Sequence, residues 1–102
     1  MMEIFTPFTG DTTAVSVSGT TARGLLNRPS ATEGGRVTCS VYNATAVRVY
    51  IQFGDVTVES TTAKMPIPAG GVEVFSIGAA TYIAGITDTG TGTVYATPGV
   101  GA

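Results

Sequence analysis

Val37-Thr38-Cys39-Ser40-Val41-Tyr42 and Ala46-Val47-Arg48-Val49-Tyr50-Ile51-Gln52-Phe53 are the two runs that decide the fold, and only Asn43-Ala44-Thr45 separates them. Successive side chains of a strand point to opposite faces, so a period of two marks a sheet with one side buried. In the first run Val37, Cys39 and Val41 share a face, with Thr38, Ser40 and Tyr42 opposite. In the second, Val47, Val49, Ile51 and Phe53 face a core while Arg48, Tyr50 and Gln52 face out. Asn43-Ala44-Thr45 reads as a tight turn joining the two into a hairpin.

The same alternation spreads outward. Residues 12–20 set Ala14, or Val15 and Val17, against serines. Val56 and Val58 suggest a short strand after a Gly54-Asp55 turn. Met65-Pro66-Ile67-Pro68 is expected at a sheet edge, because proline cannot donate to a ladder. Ala69-Gly70-Gly71 turns the chain into a strand over 72–77, and Tyr82–Ile86 follows. Asp88-Thr89-Gly90 has the chemistry of a hairpin connection to a last strand over 91–97. Residues 22–35 lack alternation and are expected to form a long connection with at most one helical turn. Seven to nine short strands at even spacing predict an all-β fold: a compact antiparallel β-sandwich or a small barrel, jelly-roll-like. Residues 11–102 form the β domain. Residues 1–10, which carry Ile4, Phe5 and Phe8, either add a first strand or make an arm that docks on a neighbour. The ending Thr97–Ala102 is small and expected to be peripheral.

Composition narrows the function. Thr and Val are stiff at χ1 and suit pleated surfaces. Scaling laws bury roughly 64% of the unfolded surface of a chain of this mass, enough for one modest core. Charged residues make up 12% of the chain, against roughly 25% in ordinary soluble domains. A free monomer relies on charge to stay apart from its neighbours, so this surface suits coverage by partners. The basic residues Arg23, Arg28, Arg36, Arg48 and Lys64 are scattered, which argues against nucleic acid, whose phosphates need a dense basic stripe. No apolar run approaches the ~20 residues of a membrane-spanning helix. The opening Met1–Phe8 has neither the basic nor the apolar region of a signal peptide. One cysteine, Cys39, fits assembly in a reducing cytoplasm.

Catalytic chemistry finds no foothold. The chain has no histidine, which removes the commonest general base near neutral pH and every triad that depends on it. Cys39 lies on the buried side of an alternating run and reads as a small hydrophobe. Asp55, Glu59, Glu73 and Asp88 carry oxygen donors but lack the close acidic spacing that calcium favours. Gly70-Gly71 and Gly90-Thr91-Gly92 do not lead into helices, so they are not phosphate cradles. Asn43-Ala44-Thr45 matches a glycosylation sequon and reads as a turn. We expect no enzyme activity, no cofactor and no metal.

Three segments carry a resemblance. Ala46–Asp55, then Met65-Pro66-Ile67-Pro68-Ala69-Gly70-Gly71-Val72-Glu73-Val74-Phe75, then Thr91-Gly92-Thr93-Val94-Tyr95-Ala96-Thr97-Pro98-Gly99 resemble the small virion proteins of bacteriophages and prophages that accompany head genes. The likeness spans about residues 36–99 and rests on a Pro-x-Pro-Ala-Gly turn and a Gly/Thr-rich close. It implies a head decoration, or cement, protein: made in the bacterial cytoplasm, seated on the outside of the capsid, bound to the major capsid protein, and often trimeric. A head–tail connector, tail or fibre-associated β domain is the alternative, and a glycan- or host-surface-binding module comes after it. The candidate interface residues are Ile4, Phe5 and Phe8 on the terminal segment, with Arg48 and Tyr50 on an outer strand face, since Tyr and Arg are enriched at binding hot spots.

Overall fold

The computed structural model describes residues 5–8, 12–28 and 37–100. They form nine strands: β1 (Thr6–Pro7), β2 (Thr13–Val17), β3 (Ala22–Leu25), β4 (Val37–Asn43), β5 (Val49–Gly54), β6 (Met65–Ile67), β7 (Val72–Ser76), β8 (Tyr82–Thr87) and β9 (Gly92–Val100). Two antiparallel sheets face each other. In one, β9 carries β1 and β2 end to end along one edge and continues through β4 to β7; the other runs β3-β8-β5-β6. The pairings β2–β9, β3–β8, β4–β7 and β5–β6 are nested, as in one long antiparallel ribbon rolled over on itself. This is a jelly-roll sandwich. The two sheets do not join edge to edge, so the barrel alternative is set aside.

Alternation in sequence becomes burial. Val15 and Val17, Val37, Cys39 and Val41, and Val94 and Ala96 line one sheet; Val49, Ile51, Ile67 and Ile83 line the other, all at most 3% exposed. Each such aliphatic side chain contributes about 1.5–3 kcal/mol through burial. The sandwich tapers. At the β2–β3 side the sheets come close: a methyl on Gly24 would sit 2.7 Å from Thr13, and one on Gly85 would sit 2.8 Å from Val17. At the β6–β7 side they stand apart, and the space holds the rings of Phe53 and Phe75, 5.6 Å between centroids.

Several local expectations need correction. Neither Asn43-Ala44-Thr45 nor Asp88-Thr89-Gly90 closes a hairpin. The strands flanking each lie in different sheets, so both links are corners between layers. Asn43 is fully buried: its amide nitrogen donates to the carbonyls of Val47, Ile67 and Pro68, and its oxygen accepts from the Thr45 backbone N–H. Such an amide has no freedom to act as a sequon. Residues 22–25 are a strand, missed because its inward positions are only Ala22 and Gly24 while the large Leu25 faces out, so the usual alternation is weak and inverted. Val56 and Val58 are not a strand; they belong to the β5–β6 loop. Thr97–Val100 is not peripheral but the end of β9, and Pro98 lies beside Cys39 of β4. The Pro98 carbonyl accepts from the Phe8 N–H, so its missing donor faces the short β1 and leaves the β4 ladder intact. Leu26–Arg28 continue the expected connection without regular structure, and its residues 29–35 lie outside the described residues.

Candidate interface on the β2–β9–β4–β7 face

The two outer faces of the sandwich are unlike. The β5–β6 loop folds back over the β3-β8-β5-β6 sheet. Arg23 of β3 donates to the Val58 carbonyl, the Ser60 N–H donates to the Thr21 hydroxyl, and the Ser60 hydroxyl donates to the Tyr50 carbonyl. Val58 rests on Gly54, where a methyl would meet it at 2.9 Å. Ala84 points outward from β8 between these anchors, yet it is fully buried. Asp55 organises the start of the loop by accepting from the Thr57 backbone N–H and hydroxyl. The Thr57 hydroxyl and then its N–H hold the Asp55 carboxyl below its ordinary pKa.

The opposite face has no such cover among the described residues. The ladder registers set its side chains in rows. Val72, Tyr42, Tyr95 and Ala14 form one row across β7, β4, β9 and β2. Val74, Ser40 and Thr97 form the next, and the Thr97 hydroxyl hydrogen-bonds that of Thr12 at 2.8 Å. Ser76, Thr38, Gly99 and Pro7 form a third. None of these residues is charged. Tyr42 and Tyr95 stack at 6.3 Å and 16° between ring planes, and they remain 43% and 41% exposed. Val72 and Val74 are 58% and 42% exposed. A broad apolar and hydroxyl surface anchored on an aromatic pair is what a protein partner covers.

The residues expected to form an interface are not brought together. Phe5 lies over Gly99 at one end of the open face, where a methyl would meet its ring at 2.8 Å. Phe8 packs against the core, which with β1 makes this part of the terminus a first strand; Ile4 lies outside the described residues. Tyr50 belongs to β5 of the other sheet, while Arg48 lies just before β5 in the link from β4, because the strand expected over 46–53 begins only at Val49. Arg48 is fully exposed, and hydrogen bonding to Tyr50, with the Tyr50 and Asp88 charges, raises its guanidinium above the ordinary value. Tyr50 is flanked in register by Pro66 and Ile86, so it does not pair with Tyr42 across a hairpin. Sequence reasoning missed Tyr95, Val72 and Val74. Their signal is the outward parity of Tyr42 carried across two ladders, and both ladders join strands distant in sequence.

Other chemistry is sparse among the described residues. No group of three Asp, Glu or Cys side chains could hold a metal ion. Burial pushes the Cys39 thiol up to about 12, against a weaker opposing contact from the Thr97 backbone. Beside β7 an apolar opening of about 290 Å3 is lined by Ile51, Gln52, Phe53, Met65 and Phe75; it has few polar groups to orient a ligand. No helix is long and apolar enough to cross a membrane. No family model, curated protein or solved structure matches the chain.

Proposed function

We propose that this chain is a structural virion protein that decorates the outside of a phage head, with the β2–β9–β4–β7 face seated on the major capsid protein. The observation that carries this reading is the asymmetry of the sandwich: one face is strapped by its own loop, and the other is an uncharged surface with a stacked tyrosine pair. A jelly roll by itself hosts many activities, so the reading rests on that surface and on the resemblance of residues 36–99. Seated many times over a lattice, such a domain binds the assembled state and stabilises it by mass action. Because the face is uncharged, its binding should change little with salt, since only charge-driven contacts are screened.

The test is co-sedimentation of the purified protein with phage heads assembled without it. The reading expects saturation at a fixed ratio to the major capsid protein and heads that survive more heat. Failure to bind heads, with the protein recovered on isolated tails, would replace decoration with the tail or connector role.

A further inference from the structure

The four sheet edges are not equally protected. β6 carries Pro66, and β1 carries Pro7. β2 and β3 close on each other, with the Thr13 hydroxyl donating to the Leu25 carbonyl at 2.6 Å. β7 has no proline, lysine or arginine, which natural edges use to stop strands from adding on; its one guard of that kind is Glu73, on the side of buried Val41. Its ladder bonds to β4 run through odd-numbered residues: the Ile77 N–H donates to Val37 and the Asn43 N–H donates to Gly71. By ladder parity the N–H and C=O groups of Val72, Val74 and Ser76 therefore point away from β4, along an edge that no strand among the described residues pairs with.

We propose that this edge pairs with the β7 edge of a second copy of the chain, antiparallel, about a two-fold axis through Val74. The occupant follows from self-complementarity. With Val74 opposite its own mate, Val72 falls opposite Ser76, and each of these pairs exchanges two N–H···O bonds. Glu73 is the one charged residue of β7. Centring on Val74 sets it opposite Phe75 and puts the two glutamates at diagonal positions, about 7–8 Å apart along the backbone, instead of directly opposite. The outward row becomes β-branched Val74 against Val74, with serines at both ends. Gly78, after the strand, has open space where a side chain would stand, and its carbonyl accepts from Arg28. The interface is isologous and closes after two copies, whereas the resemblance leads one to expect trimers. Two open faces become one continuous uncharged surface. The pairing does not depend on what that surface docks against.

Light scattering on the free protein, with no heads present, tests this. The wild-type chain is expected at twice its 10.3 kDa mass. Val74→Lys puts like charges directly opposite across the axis and should give a folded monomer by circular dichroism. Met65→Lys, on the β6 edge, should leave the dimer intact. Val74→Cys should cross-link to a covalent dimer under an added oxidant, because the Cα atoms of such a pair lie about 5.5 Å apart, within disulfide reach; Cys39 is buried and stays silent. A monomer at every concentration overturns the proposal. So does a trimer, or a Val74→Lys chain of unchanged assembly. Loss of head binding with the dimer intact would instead count against the decoration role alone.

Discussion

Asn43 and Cys39 stand two residue-pairs apart on the inner side of β4, and burial treats them in opposite ways. Asn43 succeeds there because every polar atom of its amide is used. Asn43→Ala would take the acceptor from the Thr45 N–H and the amide donor from the carbonyls of Val47, Ile67 and Pro68, of which Val47 keeps the Thr45 hydroxyl and Pro68 the Gly71 N–H. A buried polar group left without a partner costs about 1–3 kcal/mol. We expect a loss of about 2–4 kcal/mol in urea unfolding; a loss below about 1 kcal/mol would show that water replaces the amide. The Cys39 thiol is buried in its neutral form, with a pKa of about 12 in place of 9.0. Its folded value is the raised one, so its contribution to stability is whole below pH 9 and fades as the pH climbs towards 12. Within that window the slope is about 1.4 kcal/mol per pH unit. Cys39→Ala should flatten the decline in stability from pH 9 upward, and native Cys39 should resist thiol reagents at pH 8 until the protein unfolds. Rapid labelling of the native chain would contradict the buried placement. The buried side of Cys39 was legible from its neighbours Val37 and Val41. The role of Asn43 was not, because three of its partners come from beyond the turn it seemed to form.

Individual strands were easier to read than the links between them. β2, β4 and β5 announce themselves by alternation, and β6 announces its edge by Pro66. What alternation does not say is which strand pairs with which. Short links such as Asn43–Thr45 and Asp88–Gly90 have hairpin chemistry, but here they turn corners between sheets. The taper of the sandwich falls on glycines for the same reason that hid β3: an inward glycine carries no pattern. Gly85→Ala forces a methyl against Val17, and a crowded core costs about 1–3 kcal/mol. The expected result is a destabilised protein whose loss is smaller when the change is made in a Val17→Ala background. Equal losses in both backgrounds would mean that the sheets simply move apart. The β5–β6 loop supplies a pH-dependent element through Asp55, whose depressed pKa stabilises the loop above its unfolded value and ceases to do so as pH falls through the folded one. Protection of the Thr57 and Val58 amides, measured against their intrinsic exchange rate at each pH, should therefore fall in acid, and Asp55→Asn should lose most of that response.

At the scale of the molecule, the fold class was written in the period of two, while the candidate interface was not. Tyr42 and Tyr95 meet only because β4 and β9 pair across more than fifty residues of chain, and Val72 joins them through another non-local ladder. Of Arg48 and Tyr50, the more conspicuous pair in sequence, Tyr50 lies on the opposite sheet and Arg48 in the link that leads into it. The central claim is that the uncharged face, and not the strapped one, meets the capsid. It is tested most directly by comparing Tyr42→Asp and Tyr95→Asp with Arg48→Ala and Tyr50→Ala for binding to heads that lack the protein. The account expects each aspartate to cost about 2 kcal/mol or more, roughly a thirtyfold loss of affinity, with the two alanine variants near wild type at low and high salt alike. Full binding by the aspartate variants, or its loss on changing Arg48 and Tyr50, would place the contact on the other face.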